Sequence, residues 1–290
     1  LRTALLAAVP APAAAAPGGG MLPALAEAPS RTPTLDRFGR DLTALARRGE
    51  LGPIIGRERE ILAVVQTLAR SSRNNPVLVG EAGVGKTAIV EAIAIRAAGG
   101  RDPAVLAGKR IVELAIGALP GGTDDRAAFE ARVQGVIAEA GAHPNVILFI
   151  EEPGALVGTG RTGPDGLDAA NLLKPSLARG ELRCIGATTV EGYQRFVESD
   201  PALERRFDKV LVEEPDRDET LEILRGLRPN LESHHGVALP DETLAAAVDL
   251  SVRFETDRRL PDKAIDLVDK AAARTRLPAP SLLRAPGVRW

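Results

Sequence analysis

The chain reads as an α/β fold, a parallel β-sheet flanked by helices with a small all-helical domain behind it. Three observations predict this. Apolar runs such as Val77 to Val79 and Val146 to Ile150 have the composition of strands buried on both faces, and stretches of helical period separate them. The segment Gly80-x-x-x-x-Gly85-Lys86-Thr87 stands between one such strand and a periodic apolar run, Ala88 to Ala97. After Glu214-Pro215 the strand signals stop and only helical patterns remain. Alternating strands and helices imply a parallel sheet with helices on both sides.

In chain order, Leu1 to Ala16 faintly resembles a signal peptide, but the run breaks at Pro10 and the chain does not begin with methionine. It reads better as the end of an upstream region followed by a flexible Ala/Pro/Gly linker over 1–33, although Met21 could be a start. Residues 34–214 then form the α/β domain. Within it, Leu35 to Arg48 reads as one amphipathic helix, with Phe38, Leu42 and Leu45 on a common face. Gly49 to Gly56 is turn-rich, and Glu58 to Arg70 is a helix with Ile61, Leu62, Val65 and Leu68 turned inward. Past the glycine-rich segment, Gly99 to Lys109 is a loop and Arg110 to Ala115 a short strand. A polar loop, Gly121 to Arg126, opens into a helix carrying Phe129, Val133, Val136 and Ile137. Leu182 to Ala187 and Lys209 to Val212 supply two more strands.

Residues 215–276 make the helical domain from three patterns: Asp216 to Leu227, Asp241 to Phe254 and Asp262 to Thr275. Asp241 and Asp262 follow Pro240 and Pro261 and stand where N-caps are expected. The proline-rich tail, 277–290, reads as irregular.

Composition narrows the function classes. A chain of 290 residues has room for about two domains. A net charge of −2 gives no global field towards nucleic acid or an anionic membrane, and 3% aromatic residues leave few platforms for base stacking. One cysteine excludes an internal disulfide and a cysteine-based zinc cluster. No apolar run approaches a bilayer-spanning length.

Gly80 to Thr87 carries the chemistry. Its spacing, between a strand and a helix, is that of a phosphate-binding P-loop, so the chain is expected to bind a nucleoside triphosphate, with ATP and Mg²⁺ as ligands. Glycines let backbone N–H groups turn inward around a phosphate, Lys86 adds a cation, and the Thr87 hydroxyl can reach Mg²⁺. Gly80, Glu81, Ala82, Gly83, Val84, Gly85, Lys86 and Thr87 are thus the candidate nucleotide-binding residues. Hydrolysis further needs an acid near the metal, a group that orients water and usually an arginine. Ile147-Leu-Phe-Ile-Glu151-Glu152 is a buried strand ending in two carboxylates, with Glu151 at the metal position and Glu152 at the water position. Gly186-Ala-Thr-Thr189 can aim a hydroxyl at the γ-phosphate; Arg205-Arg206 taken alone is a solvated pair. His234-His235 lacks a third ligand nearby, Cys184 reads as inert core, and Gly158 to Gly163 as a mobile loop.

Together these stretches resemble the first ATPase module of the Clp family of AAA+ unfoldases and disaggregases. The likeness runs from about Thr34 to Arg276 through Leu35-Asp-Arg-Phe-Gly-Arg-Asp-Leu-Thr43, Ile55-Gly-Arg57, the P-loop, Asn171-Leu-Leu-Lys-Pro175, Gly186-Ala-Thr-Thr189, Ala202-Leu-Glu-Arg-Arg-Phe207 and Leu260-Pro-Asp-Lys-Ala-Ile-Asp266. The resemblance implies a P-loop NTPase sheet with a helical lid, assembled as a homo-hexameric ring in the cytoplasm. It further implies action on polypeptide substrates, with a partner protease or adaptor as a further possibility and no nucleic acid or membrane partner. It casts Glu152 as catalytic glutamate, Thr189 (with Thr188 as the alternative) as γ-phosphate sensor, and Arg205 and Arg206 as fingers reaching a neighbour's site. Ile54 and Ile55 would pack on adenine, and Asp262 and Lys263 would sit in the lid beside the nucleotide.

Three departures from that family set expectations of their own. Glu151 replaces an aspartate, and its extra methylene is expected to push the carboxylate outward; Pro153-Gly154 alters the strand exit. Asp124-Asp125 stands where a pore loop carries an aromatic. The sequence also stops soon after the lid, short of the middle coiled coil and second ATPase module of larger members. From these the expectation is a module that binds ATP and assembles but hydrolyses slowly and threads weakly. The alternative is a hydrolysis-impaired module serving assembly or regulation. A nucleic-acid motor of the same superfamily is disfavoured by the charge and the scarcity of aromatics.

Overall fold

The computed structural model describes residues 31–115, 119, 126–152 and 169–275. The tails, Asp124-Asp125, Pro153-Gly154 and Gly158 to Gly163 lie outside these described residues, as do the expectations placed on them.

Six strands form one sheet: β1 (Gly39–Asp41), β2 (Asn75–Val79), β3 (Arg110–Leu114), β4 (Val146–Glu151), β5 (Cys184–Thr188) and β6 (Phe207–Leu211), in the spatial order β1-β3-β4-β5-β2-β6. All pairings are parallel except β1 with β3, so each strand from β2 onward returns through a helical crossover. The helices are α1 (Pro33–Phe38), α2 (Leu42–Arg48), α3 (Glu58–Leu68), α4 (Lys86–Ala98), α5 (Pro103–Leu106), α6 (Arg126–Ala142), α7 (Ala169–Arg179), α8 (Val190–Tyr193) and α9 (Pro201–Glu204). A π-helical turn, Gln194–Glu198, joins the last two.

Period-two alternation sorts the strand residues onto two faces. Val77, Val79, Leu148 and Ile150 join one core with Phe129, Val133 and Val136 of α6 and Leu173 and Leu177 of α7. Leu78, Ile147, Phe149 and Ile185 join the other, with Ile61, Val64 and Val65 of α3 and Ile89, Val90 and Ile93 of α4. The P-loop strand β2 lies between β5 and β6, with its C-terminal end beside that of β5 and one strand away from that of β4.

The predicted helix Leu35 to Arg48 is in fact α1, β1 and α2. Gly39 explains the break: a Cβ there would stand 2.5 Å from Val112 Cγ1 and 2.6 Å from the Leu35 carbonyl oxygen, so only glycine lets the chain press against β3. Arg110 fixes this segment, with Nε donating to Asp41 at 2.6 Å, Nη1 to the Thr32 hydroxyl at 2.5 Å and Nη2 to Asp36. The Glu139 carboxylate accepts from the Thr34 and Leu35 amides, both at 2.8 Å, as a borrowed cap for α1. A second correction concerns Leu62, which is 53% exposed, whereas Val64 lies in the core.

The lid comprises α10 (Arg217–His235), α11 (Asp241–Phe254) and α12 (Asp262–Thr275) around Leu224, Leu239, Leu244, Val248, Leu260, Ala264 and Val268. Asp216 and Glu219 form a reciprocal capping box, the Glu219 amide donating at 2.8 Å and the Asp216 amide at 3.0 Å. Asp241 is not the cap expected of it. Pro240 holds that position, and Asp241 as first helical residue accepts from Arg225 (2.7 Å) and Arg228. Asp262 is likewise already helical.

Candidate active site

β2 delivers the chain at Gly80, whose amide donates to the Thr188 carbonyl at 3.1 Å. A Cβ on Gly80 would stand 2.2 Å from the Val212 carbonyl oxygen, so the turn passes only because that atom is missing. Gly83 and Gly85 then take φ of 85° and 96°, left-handed values that glycine adopts without cost. Glu81 and Ala82 are exposed, whereas Val84 is buried and anchors the loop in the second core. Gly85 offers no capping side chain to α4, so the first amides of that helix remain available to an anion. This glycine-permitted turn, aimed by a buried strand, fits a bound phosphate chain.

Lys86 is buried, and its Nζ donates to the carbonyls of Gly80 and Glu81, both at 2.9 Å. Burial pulls its pKa down, and the carboxylates of Glu152, Glu151 and Glu81 oppose that pull. The ammonium thus lies within the field of both acids at the end of β4.

Glu151 lies opposite Ala187 in the sheet and accepts a hydrogen bond from the Thr87 hydroxyl at 2.7 Å. The end of β4 and the start of α4 are thus joined through these two side chains. Thr87 and Glu151 offer the hard oxygen donors that suit Mg²⁺, the rest of whose shell water and phosphate ordinarily supply. Among the described residues no cluster of three or more His, Cys, Asp or Glu side chains could hold a metal by itself.

Glu152 leaves the strand with φ of 48°, an uncommon value for a residue with a side chain, while its amide still donates to the Ala187 carbonyl at 2.7 Å. The Thr188 hydroxyl donates to its carboxylate at 3.3 Å. Thr189, the residue favoured from the sequence as sensor, caps α8, its hydroxyl accepting from the Gly192 amide at 3.1 Å. Thr188 is fully buried, and a Cβ on Gly192 would come within 2.1 Å of its hydroxyl oxygen. Thr188 is thus the threonine of the pair whose hydroxyl meets Glu152.

The arginine pair divides. Arg206 donates from Nε to the Ala178 carbonyl at 3.0 Å, and its guanidinium lies over Gly180, where a Cβ would be 3.0 Å away. Arg205 is exposed and, among the described residues, has neither an ion pair nor a side-chain hydrogen bond. Of the two isoleucines expected to pack on adenine, Ile54 packs on the second core and Ile55 abuts Gly226 of α10, where a Cβ would be 2.3 Å from Ile55 Cδ1.

The lid touches the P-loop directly: the Asp262 amide faces the Gly83 carbonyl at 3.4 Å, and a Cβ on Gly83 would be 2.9 Å from that of Asp262. Lys263, grouped with Asp262 on the sequence, is held within the lid and its hinge. Its buried Nζ donates to the Glu255 carbonyl at 3.1 Å and lies 4.0 Å from Glu214. His235 is buried against Asp269 at 2.8 Å, a contact within the lid. Sequence reasoning missed Glu214, whose carboxylate takes the Leu260 amide at 2.8 Å, and the bridging part played by Arg57. In the sequence Arg57 stands out only at a turn-rich segment and within the Ile55-Gly-Arg57 stretch of the resemblance, and Glu214-Pro215 only as the place where strand signals stop.

The model for ATPases associated with various cellular activities matches residues 76–214, and that for an AAA lid domain matches 216–282. Chaperone protein ClpB 1 of Synechocystis sp. is 53% identical over 245 residues, covering 84% of this chain and 27% of that protein. The ATP-dependent Clp protease ATP-binding subunit ClpC of Staphylococcus saprophyticus is 51% identical over 249 residues, covering 86% and 30%. Among solved structures, the S. cerevisiae Hsp104–ADP complex superposes with a TM-score of 0.76 at 45% identity, covering 83% of this chain and 41% of that one. The chain thus spans about 30% of the length of the curated relatives it matches. These likenesses do not favour the alternative of a hydrolysis-impaired assembly module. Among the described residues no helix is long and apolar enough to cross a membrane. By its matched domains and these relatives, the chain belongs to the AAA ATPase family and carries a first AAA module of Clp type, ATPase domain and lid together.

Proposed function

We propose that this module binds ATP with Mg²⁺ and hydrolyses it to drive remodelling of polypeptide substrates, as one subunit of a cytoplasmic homo-hexameric ring. The observation that carries the reading is the convergence of Lys86, the Thr87–Glu151 hydrogen bond and the Glu152–Thr188 pair at the ends of adjacent strands. Lys86 and the α4 amides hold the phosphates, Thr87 and Glu151 hold the metal, and Ile54 and Ile55 flank the base. Mg²⁺ supplies charge neutralisation at the transferred phosphoryl group. Glu152 orients and deprotonates the attacking water, and the Thr188 hydroxyl keeps its carboxylate turned into the site. Arg205, exposed and without an ion pair among the described residues, suits a finger acting on the neighbouring copy better than Arg206, whose guanidinium is held by its own chain. Any partner protease or adaptor would engage the wider protein of which such modules form part.

The reading is tested by phosphate release from Mg·ATP alongside nucleotide binding. The parent chain is expected to turn over, and Glu152→Gln to bind ATP within a few-fold of the parent while losing roughly 10²-fold or more in rate. A parent that binds ATP without releasing phosphate, or a variant that hydrolyses as the parent does, overturns it.

A further inference from the structure

Arg57 stands outside the groups that would touch nucleotide, yet it joins three pieces of the site. Its backbone has φ of 64°, left-handed in a residue with a side chain, directly after Gly56 at 69°. The side chain is only 12% exposed. Nη1 pairs with Glu60 at 2.8 Å on the first turn of α3, and Nη2 donates to the carbonyls of Val84 at 2.8 Å and Glu213 at 2.9 Å. Val84 belongs to the P-loop, and Glu213 follows β6 at the entry to the lid. The next residue, Glu214, takes the Leu260 amide at 2.8 Å and lies 3.5 Å from Arg259. Two residues on, the Asp262 amide faces the carbonyl of Gly83, the P-loop residue before Val84. Consecutive P-loop carbonyls are therefore engaged from behind, one by Arg57 and one by the lid.

We infer that Arg57 is a positioning residue that couples the P-loop to the lid hinge, so that nucleotide binding and lid orientation are energetically linked through its guanidinium. The inference rests on the nucleotide-binding reading of the P-loop. Holding the carbonyls of Gly83 and Val84 outward leaves the loop's N–H groups facing the anion. Because the same nitrogen holds Glu213, any movement of the hinge strains the hydrogen bond to Val84. A lysine carries the charge but lacks the planar fork that serves Glu60 and both carbonyls at once.

The test uses the full chain with reporter cysteines introduced by Arg101→Cys and Val252→Cys, both exposed positions, one on the sheet domain and one on the lid. Cys184 does not interfere, because it is buried and burial pushes its thiol pKa up, away from reactivity. Inter-label distances and ADP affinity are measured for the parent, Arg57→Ala, Arg57→Lys and Glu60→Gln, with melting confirming that each is folded. Arg57→Ala and Arg57→Lys are expected to weaken ADP binding about tenfold and to broaden the lid distance distribution without nucleotide. Glu60→Gln, which leaves both carbonyl bonds in place, should stay within about twofold of the parent. Arg57→Lys behaving as the parent, or Arg57→Ala weakening ADP binding with an unchanged lid distribution, overturns the proposal. A parent that does not bind ADP removes the nucleotide reading instead, and the nucleotide-free distributions still decide whether Arg57 holds the hinge.

Discussion

Strand β4 of the α/β domain is buried on both sides, with Leu148 and Ile150 entering one core and Ile147 and Phe149 the other. The lid helices each bury a single stripe and leave a charged face in water. Arg217 pairs with Asp249 at 2.6 Å, Arg225 with Asp241 at 2.7 Å and Lys270 with Asp266 at 2.6 Å. The hydrogen bond from Arg225, with that from Arg228, holds the Asp241 carboxyl below the usual carboxylate range, but the pair of Arg225 and Asp241 lies at the surface. Solvent and salt screen such pairs, so they orient the lid surface more than they stabilise it. The contrast separates a rigid platform, which fixes catalytic groups, from a lightly held lid, which can change angle without unfolding the platform.

The sharpest way to break this comparison is Phe149→Ala. Removing a fully buried ring from the second core should cost about 3–5 kcal/mol, read from denaturant midpoints, and a loss below about 1 kcal/mol would deny the sheet its rigid role. Leu224→Ala, at the centre of the lid core, should cost about 2–4 kcal/mol locally. Hydrogen exchange should then accelerate at lid amides while β4 stays protected, and equal acceleration in both would mean the two unfold as one unit. The smallest effect belongs to Asp216→Ala, which removes the capping-box carboxylate and should cost about 1 kcal/mol with faster exchange confined to the first turn of α10. Exchange spreading to α11 would make that cap part of the lid core.

The same contrast governs what could be read from the sequence. Strands β2 and β4 were legible because burial on both faces writes an uninterrupted apolar run, and the P-loop because its glycines are demanded by backbone positions rather than by a partner. Less legible were features decided by distant residues. Nothing local to Gly39 shows that Val112 lies 2.5 Å from where its Cβ would be, so an apparent helix hides an edge strand. The apolar period that included Leu62 runs past the edge of the core. The first lid helix, read as ending at Leu227, continues through Pro229 to His235, because the one amide that proline removes is outweighed by lid packing on both sides of it. Which of Thr188 and Thr189 meets Glu152 depends on where β5 ends and the next cap begins, a matter of one residue. Arg57 looked like a turn residue, since its acceptors lie 27 and 156 positions away.

The antiparallel strand β1 bears on where a fragment of this protein may be cut. A piece begun at residue 76, where the ATPase-domain match starts, would keep the P-loop and every residue proposed for the chemistry except those of the Ile54–Arg57 segment. It would also strip β1 from β3 and leave the amides and carbonyls of a sheet edge bare, a template on which another chain can pair. Such a fragment would be lost to aggregation before its catalysis could be assayed. The Arg110 contacts to Thr32, Asp36 and Asp41 therefore put the start of the folded unit no later than Thr32.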